Sequence, residues 1–390
     1  MNFQNLQQNA DTYVLDKKYL TVHSNDRDIN KWPYSNNFEV SLPVEIKNIV
    51  SMRLASIVLP SNYYTFSNSY QNTKLTFKLS PIKPPSTAPP ALIQAFIYLF
   101  QNKETNYTIT IKEGYYSPEQ LANEIEGLMN AAIQEYLVKT WGGPALFPYS
   151  SLGIYNYFRV YYDSVAMKYW FGNKRDNFSL TFDTKITYNV QQCEQKVVWD
   201  QYNNWGLPSY LGFEKKTYDT TTYTPTNSIY DNSGVPFYHD DYYWLQPDLS
   251  AGYYKSSYFI EAPCTLDIFG DAAIYMEVDR YNNMDELVPY AEATNNMYNN
   301  DYNGSVDNAF AKIYTTTYPR GQIFDSTNSM IQSITTLDPP LQQIKKLKFK
   351  FRYHDGRLLD FCSNSFNFLI EFNCLHNEQA RSYKLRIPPT

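Results

Sequence analysis

Histidine side chains are the first candidates for chemistry, because an imidazole can serve as a base or as a metal ligand. The chain has four, at His23, His239, His354 and His376. None has the spacing of a metal-binding pair, and no cysteine stands near them at zinc-finger intervals. The best cation candidate is His239-Asp240-Asp241, but three adjacent residues of an extended chain point to alternating sides and make a poor cage. The sequence favours a solvated acidic loop there and predicts no metal and no cofactor.

Two groups of carboxylates lie beside aromatic residues, which is the combination that a glycosidase uses. They are Asp240 and Asp241 with Tyr242, Tyr243 and Trp244, and Glu277 and Asp279 with Tyr275 and Tyr281. Tyrosine makes up 38 of the 390 residues, so an acid beside a tyrosine arises by chance along most of the chain. No G-x-S-x-G, P-loop or GxGxxG motif occurs. The sequence predicts no enzyme and no small-molecule substrate, with a carbohydrate-binding fibre or glycan hydrolase of β-sandwich type as the alternative.

One row of basic residues could bind a charged partner. Lys346, Lys348, Lys350 and Arg352 alternate with Leu347, Phe349, Phe351 and Tyr353, which places the charges on one face of a strand. The row could bind phosphate, nucleic acid or lipid headgroups. The sequence favours over this a solvent-facing row whose lysines prevent edge-to-edge aggregation. A third interpretation fits better than either alone, namely that the row docks on an acidic neighbour.

The composition points to contacts with other proteins. Only 18% of residues are charged and 17% are aromatic, and tyrosine offers apolar area together with a hydrogen-bonding tip. The formal net charge of -6 argues against a general nucleic-acid binder. Residues 200–310 carry 17 acids against 4 bases, whereas residues 345–390 carry 9 bases against 4 acids. An acidic half and a basic end suit head-to-side association between neighbours.

The elements that would position these residues are mostly strands. Alternation predicts strands at residues 19–23, 38–42 (ended by Pro43), 46–59, 75–79, 107–111, 157–162, 178–182, 274–278, 346–353 and 366–372. Ser117, Pro118 and Gln120 form a helix start, and helical spacing continues to about Tyr136. A second short helix is predicted at residues 284–293. Many strands without a βαβ rhythm predict a mainly β protein, a jelly-roll-like β-sandwich with an inserted helix and long loops.

The domain organisation follows from the same pattern. Residues 1–16 are amide-rich and are expected to form a flexible N-terminal arm, followed by one elaborated sandwich over residues 17–390 with a sub-boundary near residues 200–215. Five prolines between residues 80 and 90 predict an extended, exposed loop. No apolar run approaches the roughly 20 residues that span a bilayer. Cys193, Cys264, Cys362 and Cys374 are scattered, which favours free thiols in a reducing compartment.

Several segments, taken in order, resemble a known family. These are SNDRDINKWPYSNNFEVSLP (24–43), KNIVSMRLASIVLP (47–60), YTITIKEGYYSPEQLANEI (107–125), LGF (211–213), IYMEVDRYNNMDELVPY (274–290), NGSVDNAFAKI (303–313) and PPLQQIKKLKFKFRYHDGRLLDF (339–361). Together they are similar to the minor capsid proteins of nucleocytoplasmic large DNA viruses, such as those infecting algae or amoebae, over about residues 19–375. The Pro-rich loop and residues 217–249 lie outside the similarity.

The resemblance implies a non-enzymatic virion protein made in the host cytoplasm. It would lie on the inner face of the capsid, bridging capsomers of the major capsid protein, next to other minor capsid proteins and the inner viral membrane. No specific nucleic acid is implied. The expected partner-binding residues are the basic row, Pro84, Pro85 and Pro89 of the Pro-rich loop, and the aromatic residues Tyr242, Tyr243 and Trp244.

Overall fold

A computed structural model describes most of the chain. The described residues are 13–60, 64–68, 70, 72–182, 206–225, 229–230, 236–237, 242–247, 254–286, 307–315, 323–325, 334–354 and 358–377. Its strands are β1 Tyr13–His23, β2 Asn37–Pro60, β3 Lys74–Ser80, β4 Tyr107–Thr110, β5 Phe158–Asp163, β6 Lys168–Asn173, β7 Asn177–Thr181, β8 Thr217–Asp219, β9 Thr221–Tyr223, β10 Ile229–Tyr230, β11 Pro236–Phe237, β12 Ser257–Glu261, β13 Ala273–Val278, β14 Met284–Glu286, β15 Asp307–Ala309, β16 Ala311–Tyr314, β17 Ile323–Asp325, β18 Ile334–Arg352 and β19 Asn367–Asn377. Its helices are α1 Pro90–Gln101, α2 Pro118–Thr140, α3 Tyr149–Leu152 and α4 Leu207–Tyr210.

The chain divides into two compact units. Unit 1 contains the described residues of Met1–Tyr63 and Asp271–Thr390, and unit 2 contains those between Tyr64 and Gly270. The unit boundaries along the chain therefore lie near residues 63 and 270. The strand pairings are antiparallel, and the architecture is mainly β and jelly-roll-like, which confirms the predicted fold class.

Unit 1 is built on one seven-stranded sheet. Its strand order is β1-β19-β2-β18-β13-β16, and β17 also pairs with β2. The predicted alternation holds along β18 and β19, because Phe349, Phe351, Phe368 and Ile370 are all buried. The phenylalanine rings pack against one another, with the Phe349 and Phe368 centroids 4.8 Å apart in an edge-to-face arrangement. These alternating aromatic residues form the core of the unit.

The long strand β2 continues through Pro43, so the prediction that Pro43 ends the strand is wrong. The pairing of β2 with β18 shifts between Ile344 and Lys346, opposite residues 42–45, and Pro43 lies in this irregularity. A proline lacks the N–H that a regular ladder needs, and a bulge removes that need. A second shift, between Thr336 and Leu341, accommodates the two prolines of β18 in the same way.

Unit 2 contains two four-stranded sheets, ordered β5-β6-β12-β9 and β4-β3-β7-β8. Both sheets and α2 contribute to one apolar core. The start of α2 is as predicted, because the Ser117 hydroxyl accepts a hydrogen bond from Gln120 N at 3.2 Å while Gln120 Oε1 accepts one from Ser117 N at 3.0 Å. The helix continues to Thr140, one turn past the predicted end, and buries Leu137 in that turn.

Three other predicted elements differ. The first strand begins at Tyr13, so residues 13–16 of the predicted arm pair with β19. The predicted helix at 284–293 begins instead as strand β14, which pairs with β15, and residues 287–293 lie outside the described ones. The apolar run after the Pro-rich loop forms helix α1, for which the sequence pattern predicts neither a helix nor a strand.

Candidate functional site

The basic row on β18 is partly paired with acids of the chain itself. Lys346 Nζ lies 3.2 Å from a carboxylate oxygen of Glu39, on the adjacent strand β2. The ammonium group of Lys348 lies 5.6 Å from the ring centroid of Trp32. Next to the row, Lys345 Nζ is 2.8 Å from Glu45, and this hydrogen bond holds the pKa of the Glu45 carboxyl below its usual value. An acidic neighbour would therefore compete with acids that the chain already supplies.

Arg352 is not part of any outer surface, so its prediction as an exposed member of the row is wrong. Its side chain is fully buried and donates a hydrogen bond from Nε to Glu277 on the adjacent strand β13. Lys350 Nζ lies 3.7 Å from the other oxygen of Glu277. The guanidinium also lies over the Tyr275 ring, 5.4 Å from its centroid. Arg352 therefore links β18 to β13 inside unit 1.

The ion pairs of Glu277 also test the prediction that Glu277 and Asp279 could form the acid pair of a glycosidase. Glu277 is 6% exposed and is held by two cations, whereas Asp279 lies exposed two residues further on. A glycosidase acid or nucleophile must reach a substrate. Glu277 is instead committed to the interior of unit 1, which disfavours a catalytic pair here.

The Pro-rich loop is anchored at its start by a buried carboxylate. Asp176 is 1% exposed, and its Oδ1 accepts a hydrogen bond from Ile82 N at 3.0 Å. Its Oδ2 accepts from Tyr155 Oη at 3.1 Å and from Arg175 Nε at 2.9 Å. Burial raises the pKa of Tyr155 well above its usual value, so its hydroxyl stays protonated and can donate. The guanidinium of Arg175 lies 4.0 Å from the Tyr157 ring centroid.

Within the loop, the three prolines that were predicted to bind a partner differ in their exposure to solvent. Pro84 is buried, which contradicts the expectation that the whole loop is exposed, while Pro85 and Pro89 are exposed. Pro89 immediately precedes α1, whose first residue is Pro90. The accessible part of the loop therefore continues into α1.

Helix α1 is apolar on both sides, and sequence reasoning missed it. The side facing the unit buries Ala95 and Leu99. The opposite side carries Ile93, Phe96, Ile97 and Phe100, which fall within roughly a quarter of the helix circumference at 100° per residue. Ile97 is 38% exposed and Phe100 is 48% exposed. The segment PALIQAFIYLFQ contains no charged residue.

The predicted aromatic residues belong to a ring cluster on the sheet of β5, β6, β12 and β9. Its members are Tyr161, Trp170, Tyr223, Tyr242, Tyr243, Trp244 and Phe259. Trp244 stacks on Tyr161 with centroids 5.4 Å apart and planes at 12°. It also lies directly on Gly172, where an added Cβ would be 2.7 Å from the Trp244 ring. Trp244 and Tyr242 therefore pack against the sheet, and Tyr243, 58% exposed, is the accessible ring of the three.

The remaining candidates give no site. The described residues contain no group of three metal-ligating side chains, and His239, Asp240 and Asp241 lie outside them. His354 is exposed, 6.2 Å from the Tyr275 ring. Cys264, Cys362 and Cys374 form no disulfide with one another, and Cys193 lies outside the described residues. Among the helices that the structure describes, none is both long and apolar enough to cross a bilayer.

Among known proteins, this chain is similar only in structure, to chains of solved virophage structures. No protein-family profile matches the sequence, and no curated protein matches it. The mavirus penton protein is similar at a TM-score of 0.36 and 9% sequence identity, covering 92% of this chain and 98% of that chain. A chain of the Sputnik virophage structure is similar at a TM-score of 0.38 and 11% identity, covering 94% of this chain and 99% of that chain. With TM-scores below 0.5, neither similarity identifies a function.

Proposed function

We propose that this chain is a non-enzymatic structural subunit of a virion, a minor capsid protein that bridges capsomers of the major capsid protein in a large icosahedral DNA virus. It lies beneath the outer shell, above the inner membrane, beside other minor capsid proteins. The order of the sequence segments that resemble that family supports the proposal, and a jelly-roll-like antiparallel architecture is compatible with it.

The observation that carries the proposal is the outward apolar side of α1. A helix that is hydrophobic all round normally lies inside a protein. Here one side packs on unit 2 and the other presents Ile97 and Phe100 to solvent, and the loop that leads into the helix exposes Pro85 and Pro89. A subunit surrounded by neighbours explains this arrangement, because a neighbouring capsid protein would cover the second side. We call Pro85, Pro89, Ile97 and Phe100 the loop–helix surface.

The environments of Glu277 and Trp244 weaken the alternative that the chain binds or hydrolyses carbohydrate. Glu277 is bound by Arg352 and Lys350, and the half-buried Trp244 stacks on Tyr161 and packs over Gly172. A sugar-stacking platform needs an accessible ring face. Of the three predicted aromatic residues, only Tyr243 is exposed, and one exposed ring does not make a stacking platform for a glycan.

The test is assembly with the major capsid protein of the same virus. A Phe100→Glu variant places a charge in the loop–helix surface without touching the buried Ala95 and Leu99, and we expect at least a tenfold loss of copurification with capsomers, about 1.4 kcal/mol of binding free energy. The matched control is Val165→Glu, which changes a 91% exposed residue in the turn between β5 and β6. Equal binding by both variants and the unchanged chain would contradict the proposed surface. Absence of the chain from purified particles would contradict the function itself.

A further inference from the structure

One edge of the unit 1 sheet is a long, regular strand. β1 pairs with β19 over eleven consecutive residues, from Tyr13 opposite Asn377 to His23 opposite Asn367, without a register shift. Among the described strands, none pairs with its other edge. An edge strand of this kind directs about half of its backbone N–H and C=O groups outward and is a template for another strand.

The side chains of β1 decide which strand fits. On the outer face of the sheet, Leu15 is 53% exposed and Tyr19 is 57% exposed, and Lys17 lies between them. Asp16 and Lys18 lie on the opposite face at the rim of the core. A partner strand must therefore offer apolar groups on one face and alternating charge on the other.

We propose that β1 pairs with β1 of a second copy of this chain, antiparallel, about a two-fold axis at Lys17. In this register, residues whose numbers add to 34 lie opposite each other, so Leu15 of each copy faces Tyr19 of the other. Asp16 of each copy likewise faces Lys18 of the other, which gives two opposite-charge pairs. Cross-strand pairs of both kinds stabilise antiparallel sheets. The inference concerns unit 1 alone and goes beyond the capsid role.

The like-charged pair at the axis is compensated within each copy. Lys17 Nζ lies 3.2 Å from Glu371, whose side chain is 4% exposed. Glu371 also accepts a hydrogen bond from Arg53 at 2.7 Å. Each Lys17 thus meets its counterpart with an acid already beside it.

An axis between Asp16 and Lys17 would also pair opposite charges, but it would place the outer face of one copy beside the core-side face of the other. Registers with the axis nearer to Lys18 are worse. Moving the axis to lie between Lys17 and Lys18 places these two lysines opposite each other twice and sets Asp16 against Tyr19. Moving the axis to Lys18 sets Asp16 against Leu20. Two adjacent lysines in an edge strand repel most other strands, and a second copy of β1 in the stated register is matched to them.

A charge-swap series with the full-length chain tests the pairing. We expect a concentration-dependent dimer in sedimentation-velocity experiments. Asp16→Lys and Lys18→Asp should each weaken dimerisation roughly tenfold, because each creates two like-charge pairs. The double variant should recover the original affinity, and an equimolar mixture of the two single variants should form a heterodimer. A chain that stays monomeric, or singles that dimerise like the unchanged chain, would overturn the proposal.

Cross-linking tests the register. Only a residue on the two-fold axis meets itself, so Lys17→Cys should form a disulfide-linked dimer under mild oxidation, at a Cα separation that suits a disulfide. The matched control is Thr21→Cys, whose partner in this register is Tyr13 and which should not cross-link beyond the level of the unchanged chain. Stronger cross-linking by Thr21→Cys than by Lys17→Cys would rule out the proposed axis.

Discussion

The two units each bury an ion pair, but they use it differently. In unit 1, Arg352 and Glu277 lie on adjacent strands and join them across the sheet. In unit 2, Arg175 and Asp176 are neighbours in the turn between β6 and β7, and Asp176 also holds the amide of Ile82 in the Pro-rich loop. A buried charge that joins strands fixes a register, whereas one that reaches a loop fixes where an exposed segment leaves the core.

The environments of the two carboxylates also differ. Glu277 is compensated mainly by charge, from Arg352 and from Lys350 at 3.7 Å. Asp176 is compensated by one charge and by hydrogen bonds from a tyrosine and a backbone amide. Both arginines lie over aromatic rings, but Arg175 lies closer, 4.0 Å from the Tyr157 centroid against 5.4 Å between Arg352 and the Tyr275 centroid. Removing the carboxylate should therefore be more costly in unit 1.

The largest expected effect is from Glu277→Ala. Two cations lose their carboxylate in the interior of unit 1, which should lower the free energy of unfolding by roughly 3–5 kcal/mol. Urea titration followed by tryptophan fluorescence measures the change. Asp279→Ala, an exposed acid two residues away, is the control and should change stability little. A loss below 1 kcal/mol for Glu277→Ala would show that the pair does not hold β13 to β18.

A somewhat smaller effect is expected from Asp176→Ala, roughly 2–4 kcal/mol, because Arg175 keeps its contacts with the tyrosine rings. The distinguishing measurement is amide hydrogen exchange at Ile82, which should lose its protection in this variant. Glu277→Ala should leave exchange at Ile82 unchanged. Unaltered protection of Ile82 in Asp176→Ala would contradict the anchoring of the Pro-rich loop.

The smallest effect concerns Glu371, at the rim of unit 1. Hydrogen bonds from Arg53 and Lys17 hold its pKa below the usual value of 4.5. A carboxyl whose pKa is lowered by folding contributes stability above its unfolded-state pKa and loses it as the pH falls through the folded-state pKa. Glu371→Gln should therefore lower Tm at pH 6 to 7, and the difference from the unchanged chain should shrink below pH 4.5. A difference that stays constant with pH would contradict the ion pairs.

Alternation and capping signals allowed most of the fold to be predicted. The strands around Phe349 and Phe368 alternate cleanly because one face is buried, and Ser117 begins α2 through its local hydrogen bonds. Helix α1 was missed because its apolar residues surround the helix and leave no period of 3.6. The continuation of β2 through Pro43 depends on a bulge against β18, which no local pattern reveals.

The candidate surfaces were less predictable, since burial depends on distant residues. Arg352 looks exposed by alternation, but its charge is paired with Glu277 on the adjacent strand β13, 75 positions earlier. Pro84 is buried within a loop whose composition predicts exposure. Two members of the loop–helix surface, Pro85 and Pro89, were among the expected partner-binding residues. Its helical members, Ile97 and Phe100, were not, although the lack of charge in residues 90–101 pointed to them.

The interruption of unit 1 by unit 2 has a consequence for biosynthesis. During translation β2 leaves the ribosome early, yet its partners β18 and β19 follow only after Gly270. The described residues of unit 2 all lie between Tyr64 and Gly270, so unit 2 can complete its sheets in the meantime, as domains generally fold as units while they emerge. The nascent chain must therefore keep a 24-residue strand from misassociating until its partners are made.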